Sequence, residues 1–216
     1  MPRESLSDKQ ARASQIVKLL KKQYPDAKCS LNFGSVHELM VATILSAQCT
    51  DDRVNKVTPA LFARFKSVAE FAKADLAEVE QLIFTTGFYV NKAKSIVMSA
   101  NQLMLSHKGE VPRTIDELTK LAGVGRKTAS VILGVGFGLT EGIVVDTHVG
   151  RISRLLGLTA KNDPAKIEKE LMTIIPREHW IEFSHLMIYH GRAICIARRP
   201  DCPACVLKKL CPSATH

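Results

Sequence analysis

Apolar residues recur at three- and four-residue spacing along most of the chain, the signature of amphipathic helices. Ala13, Ile16, Val17, Leu20 and Tyr24 share one face behind Ser7 and Gln10, a capping-box pair, so a first helix is predicted up to Tyr24, with Pro25 as its stop. Leu39, Met40, Thr43 and Ile44 mark the buried face of a second helix, opened by Ser35 and Glu38 and running into Ser46-Ala47-Gln48. Val54, Val57, Leu61, Phe62 and Phe65 define a third, starting at Thr50, which Pro59 should kink or break. Ser67 with Glu70 and Asp75 with Glu78 cap two short helices, the second ending at Gly87. Ala93, Ile96, Val97, Ala100, Leu103 and Met104 line one side of a long helix from Asn91 to Ser106. Thr114 and Glu117 open a helix to Leu121, and Arg126 to Leu133 is helical again. Val149, Ile152, Leu155 and Leu156 follow Asp146, a natural N-cap, and Ile167, Leu171 and Ile174 follow Asp163-Pro164. A last helix covers Glu178 to Ile194. No segment alternates as a strand would, so the expected class is all-α, with about ten helices and short loops.

Composition adds three constraints. Hydrophobic residues are 46% of 216, which indicates a globular chain with real cores. The apolar runs are too short to span a bilayer and MPRESLSDKQ has no signal-peptide core, so the expectation is no membrane and a cytoplasmic protein, nucleoid-associated if prokaryotic. The formal net charge of +9 fits a polyanionic partner, although an ordinary basic protein would carry it as well. Nothing reads as an oligomer seam, and a monomer is the default.

Four of the six cysteines, Cys195, Cys202, Cys205 and Cys211, crowd into the last 22 residues with the spacing C-x6-C-x2-C-x5-C. Clustering of this kind points to metal ligation in a reducing compartment rather than to disulfides. Four thiolates suit a tetrahedral zinc ion or a 4Fe–4S cube with one cysteine per iron, and ligand chemistry alone does not separate the two.

A second chemical signal is Leu121-Ala122-Gly123-Val124-Gly125-Arg126-Lys127-Thr128-Ala129, followed by Val145-Asp146-Thr147-His148. Gly123 and Gly125 read as a tight turn between two helices. The second helix then starts with unpaired N–H groups pointing outward, a ready site for a phosphate. Lys127, in that helix's first turn beside Arg126, can act as an amine nucleophile when unprotonated, a form favoured by burial and neighbouring cations. Taken singly, Lys127 reads more readily as a phosphate contact than as a nucleophile, and Asp146 more readily as a helix cap than as a catalytic group.

These motifs resemble the endonuclease III family of DNA glycosylases, over about Leu31 to Cys211. LAGVGRKTAS is similar to the family's helix-hairpin-helix, VVDTH to its aspartate segment, and the cysteine spacing to its iron–sulfur loop. The resemblance implies a six-helix barrel over residues 29–140 ending in the hairpin. It also implies a cluster domain of 1–28 and 141–216, and a DNA cleft between them with Lys127 and Asp146 at its mouth. It implies a 4Fe–4S cluster on the four cysteines and double-stranded damaged DNA as partner. The implied activity is a bifunctional DNA glycosylase/AP lyase that removes oxidised pyrimidines, with Lys127 as nucleophile and Asp146 assisting. Adenine glycosylases of the same superfamily usually carry a small residue in place of Lys127. The alternatives are a monofunctional glycosylase and a non-catalytic helix-hairpin-helix protein.

Further roles follow from the same resemblance. Gln48 takes the place of a glutamine that fills the gap left by a flipped base, and Phe88 that of an apolar wedge in the base stack. Read without it, Gln48 is a polar helix end and Phe88 a hydrophobic staple. Gly123, Gly125, Arg126 and His148 fall where DNA contacts are expected, although His148 reads equally as a buried structural histidine. Arg198 and Arg199, on a loop tied by the first two cysteines, are placed to meet phosphate or to offset the thiolates; Lys208 and Lys209 lie between the last two. Two departures stand out. Ala122 replaces the hairpin's usual proline, which should leave the turn less pre-organised, and Val90 replaces the usual Arg or Asn.

Overall fold

The structure, a computed structural model, describes residues 4–214. Among the described residues it contains eleven α-helices and no strand. They are α1 (Leu6–Gln23), α2 (Val36–Leu45), α3 (Asp51–Arg64), α4 (Val68–Ala72), α5 (Leu76–Ile83), α6 (Tyr89–His107), α7 (Ile115–Leu118), α8 (Arg126–Val131), α9 (Thr147–Leu155), α10 (Pro164–Ile174) and α11 (Trp180–Ala193). None is long and apolar enough to cross a membrane.

The chain divides into two compact units. One is Cys29–Leu139; the other combines the segment ending at Lys28 with the segment from Thr140 onward, whose extreme residues, 1–3 and 215–216, lie outside the described residues. In the first unit α2 is the central element. The sequence predicts one buried face for it, but Leu39 through Leu45 are all buried, as befits a helix surrounded on every side. Around it pack Val54 and Leu61 of α3, Phe71 of α4, Val79 and Ile83 of α5, and Ala93, Ile96, Ala100 and Leu103 of α6.

His37, on the same helix, meets the Phe71 ring edge-on at 5.2 Å between centroids, and its Nε2 is buried without a hydrogen-bond partner among the described residues. Burial lowers its pKa to about 4. The folded imidazole therefore stays neutral while an unfolded one would take up a proton. Its contribution is complete above pH 6.5 and is lost as the pH falls from 6.5 toward 4. Denaturant unfolding at pH 7 and pH 4 should show the wild type losing about 3 kcal/mol more than His37→Phe, which has nothing to protonate there. Equal losses would dismiss this role.

In the second unit Ala13, Ile16, Val17 and Leu20 of α1 meet Val149 and Ile152 of α9, Ile167 and Leu171 of α10, and Phe183 and Met187 of α11. Arg12 locks α1 in place by donating to the Leu156 carbonyl (2.6 Å) and pairing with Glu4 (2.8 Å).

Three local expectations need correction. Helix α1 begins at Leu6, and its cap is Ser5, whose Oγ accepts from Asp8 N (3.1 Å), not Ser7. Gln10 instead donates to the Thr173 carbonyl (2.9 Å), so tertiary packing claims the side chain a capping box would use. Helix α3 runs on through Pro59, because Val54, Thr58 and Leu61 are buried on both sides of it and their packing outweighs one lost hydrogen bond. Helix α8 stops at Val131 and continues as a π-helical turn over Ile132–Gly136. That wide turn lies against α2; a Cβ on Gly136 would come within 2.9 Å of Val36 Cγ1.

Candidate functional site

In the Cys29–Leu139 unit, α7 and α8 flank the glycine turn. Thr114 Oγ1 accepts from Glu117 N (3.3 Å) and starts α7, which ends after one turn, short of the expected Leu121. Gly123 has φ +75°, and a Cβ there would fall 2.7 Å from Ser95 Cβ of α6, so both backbone conformation and packing require glycine. Gly123→Ala should cost about 2–4 kcal/mol of stability, summing left-handed strain and overpacking, as read from denaturation midpoints. A loss under about 0.5 kcal/mol would contradict this packing.

Gly125 is different. Its φ is −84°, a conformation open to any residue, and a Cβ there would meet nothing within 4 Å. Nothing inside the chain demands a glycine, so the bare backbone is free for another molecule to approach. Gly125 is also the N-cap of α8, and no side chain caps the helix's first N–H groups. Arg126 and Lys127 follow, both exposed.

Ala122 has an unexpected compensation. Its N–H, which proline would lack, donates to Gln102 Oε1 of α6 (2.8 Å), and Gln102 Nε2 donates to the Lys120 carbonyl (3.2 Å). Gln102 thus clamps the hairpin from outside, in place of the rigidity of a proline ring.

Two further residues of this unit sit in unusual backbone. Gln48 (φ +52°) and Phe88 (φ +49°) are left-handed non-glycine positions, a conformation that costs energy and clusters at functional sites. Both are exposed, Phe88 to 64%. The staple alternative for Phe88 would bury the ring, and the helix-end alternative for Gln48 fails because α2 is capped by Ser46. The exposed Phe84 ring packs on Tyr89 beside this loop (4.8 Å).

In the second unit, Asp146 caps α9, Oδ1 accepting from Val149 N at 2.8 Å. The segment leading into it is held by Ser184 Oγ, which donates to the Val144 carbonyl (3.0 Å). Two imidazoles feel its charge, His148 and His185 of α11. Burial pushes both below the usual histidine range while Asp146 pulls the other way. His148 is half-buried, with Nδ1 buried and unpaired among the described residues, and its ring occupies the space a Cβ on Gly191 would need. It shares with Thr147, Arg151 and Arg192 an open cavity of about 470 Å³.

Cys195, Cys202, Cys205 and Cys211 are in no disulfide among the described residues, are half-buried, and line one cavity of about 70 Å³ with Ile152, Leu155, His190 and Leu207. Among the described residues no three Cys, His, Asp or Glu groups converge on a single ion. The thiols surround a space instead of meeting at a point. Their surroundings are already organised. Arg151 donates to Cys195 Sγ (3.6 Å) and to the Cys195 carbonyl (2.7 Å), and His190 Nε2 lies 3.5 Å from Cys205 Sγ. The other nitrogen of that ring, Nδ1, pairs with Tyr24 OH (3.1 Å). Burial raises the Cys205 and Cys211 thiols above their usual range. Arg198 and Arg199 are exposed on the loop between the first two cysteines. Sequence reasoning missed His185, Gln102, Arg151 and His190. Each is an ordinary polar residue on a helix, and only tertiary packing within its own unit brings it to the groups it contacts.

Residues 41–177 match the HhH-GPD superfamily of base excision DNA repair proteins. Endonuclease III of Synechocystis is 52% identical over 97% of this chain and 95% of that one. A solved non-covalent endonuclease III–DNA complex has a TM-score of 0.89 at 43% identity, covering 95% of this chain and 96% of the other. A trapped endonuclease III–DNA covalent intermediate, in an estranged-adenine complex, gives the same values.

Proposed function

The chain belongs to the endonuclease III family within the HhH-GPD superfamily, and from that membership we propose that it is a bifunctional DNA glycosylase/AP lyase acting on oxidised pyrimidines in duplex DNA. The observation that carries the reading is the exposed Lys127, in the first turn of α8 and directly behind a hairpin whose Gly125 face is open. Uncapped N–H groups of α8 receive a backbone phosphate, aided by Arg126. Gln48 and Phe88 enter the duplex and hold the lesion out of the stack.

Lys127 is exposed in the chain alone, so it is docked DNA that excludes water from its amine. Neutral Nζ attacks C1′, and the bond to the base breaks with its electron pair leaving on the base, which takes up a proton. Opening of the sugar ring leaves a protonated Schiff base between C1′ and Nζ. Loss of a 2′ proton then expels the 3′ phosphate by β-elimination, and hydrolysis frees Lys127. Asp146 stabilises the positive charge developing at the sugar. Capture of a covalent intermediate in a relative supports this route.

Asp146→Asn separates charge from architecture. Asparagine caps helices as well as aspartate, so α9 should persist while base release slows about 10²- to 10³-fold. Single-turnover kinetics beside DNA-binding isotherms would check this; parallel losses in both would remove Asp146 from the chemistry.

The four cysteines hold a 4Fe–4S cluster. A cube that takes one thiolate per iron suits sulfurs arranged around a cavity, whereas a lone zinc needs four of them about 2.3 Å from one centre. When bound, the cluster supplies a rigid tie for the loop bearing Arg198 and Arg199, which then meet phosphate with little ordering cost.

The test is a duplex with one oxidised pyrimidine. The expected products are free base and a strand cut 3′ to the site. Base release without a cut would indicate a monofunctional glycosylase; binding with neither product would indicate a non-catalytic DNA-binding protein.

A further inference from the structure

The Cys29–Leu139 unit contains a lysine that the mechanism does not use. Lys92, in the first turn of α6, is only 5% exposed. A lysine is almost never buried this far without partners. Its Nζ donates to the Leu45 carbonyl (2.7 Å) and to the Thr86 carbonyl (2.9 Å). Leu45 is the last residue of α2, three before Gln48; Thr86 ends the 3-10 turn after α5, two before Phe88. Both segments lead into the two side chains assigned to the duplex, and both arrive there through left-handed backbone (φ +52° and +49°). Thr86 is itself buried, and its hydroxyl donates to the Ile83 carbonyl (2.8 Å), so the carbonyl that Lys92 meets is well fixed.

We propose that Lys92 is a positioning residue: its buried amine ties the end of α2 to the turn before α6, and so sets the Gln48 and Phe88 loops in register with each other as one insertion device. This rests on the functional reading above. Hydrophobic packing cannot supply this link. The two carbonyls lie at helix ends, where no intrahelical donor serves them, and a single multivalent donor satisfies both at once. Burial lowers the pKa of Lys92, as expected for a group held for its hydrogen bonds and not for its charge. Among the described residues the other left-handed non-glycine position, Lys108, ends α6 next to Gly109 with no such tie.

Insertion is needed only where a base stack must be opened. The test therefore compares cleavage of an oxidised pyrimidine in duplex DNA with cleavage at an abasic site in single-stranded DNA, for wild type, Lys92→Met and Lys92→Gln. Rates are referred to the fraction of each protein that forms a borohydride adduct. Methionine keeps the volume and removes the donors. The duplex-to-single-strand ratio should fall about 10²-fold, the scale of a 1 Å misplacement. Glutamine, which can still donate to a carbonyl, should fall between, and provides the same comparison if the methionine variant does not fold. Adding Lys92→Met to Gln48→Ala/Phe88→Ala should lower the ratio little further, because the side chains it positions are already gone. An unchanged ratio, or full multiplicative loss in the triple variant, would overturn the inference. A wild type inert on both substrates would overturn the functional reading instead, and this inference with it.

Discussion

Lys127→Gln should reduce strand cleavage by about 10³-fold or more while leaving DNA binding within about fivefold of wild type. The substitution is mild in structural terms. Lys127 is exposed in the first turn of α8, and lysine and glutamine have similar helix propensity, so the fold has little reason to change. The proposed phosphate site also remains, since Gly125, the N–H groups at the start of α8 and Arg126 are untouched. What disappears is the nitrogen proposed to become part of the Schiff base. A glutamine amide cannot form an imine at C1′, so neither the covalent intermediate nor the elimination it enables is available. Cleavage assays on a pre-formed abasic site, with binding measured in parallel, distinguish the outcomes. Cleavage at wild-type rate would assign the chemistry elsewhere, and a matched loss of binding would reduce Lys127 to a DNA contact.

The second large effect is expected at the cysteines. Cys205→Ser should lower bound iron from about four per chain to nearly none. Cys205 is half-buried against His190, in a cavity whose other corners are Cys195, Cys202 and Cys211. Serine keeps the size but not the soft thiolate donor. Without the proposed cluster the loop carrying Arg198 and Arg199 should lose its tether, and its ordering cost should return on DNA binding. A loss of about tenfold in DNA affinity should accompany the loss of iron. Leu207, fully buried beside Cys205, anchors one side of the loop independently, so the second unit need not unfold outright. Metal analysis of both proteins decides the point. Zinc in the wild type, or full iron in Cys205→Ser, would contradict the ligand assignment.

Much of this was legible in the sequence because it is local. The caps of α2, α4, α5, α7, α9 and α10 all use the serine, threonine or aspartate that the pattern marks, since a cap needs only its own three or four residues. The cysteine spacing and the glycine hairpin are local for the same reason. What escaped depends on distant partners. Ser5 displaces Ser7 as the cap of α1 because Gln10 is drawn to Thr173. Pro59 is tolerated because its neighbours are buried. Ala122 looks like a weakened hairpin until Gln102 is seen to hold its N–H. Nothing in the residue pattern sets Lys92 or His185 apart from the other polar residues of their helices. Likewise, no periodicity distinguishes the open face of Gly125 from the crowded face of Gly123; that contrast exists only once α6 lies against the turn.

Borohydride trapping on a duplex with one abasic site, wild type beside Lys127→Gln, tests the central claim most directly. The account predicts a covalent protein–DNA adduct with the wild type alone, because reduction fixes the Schiff base to the Lys127 nitrogen. An adduct of equal yield with both proteins would place the nucleophile on another amine. No adduct with either, in protein that binds DNA and carries its cluster, would contradict the lyase mechanism altogether.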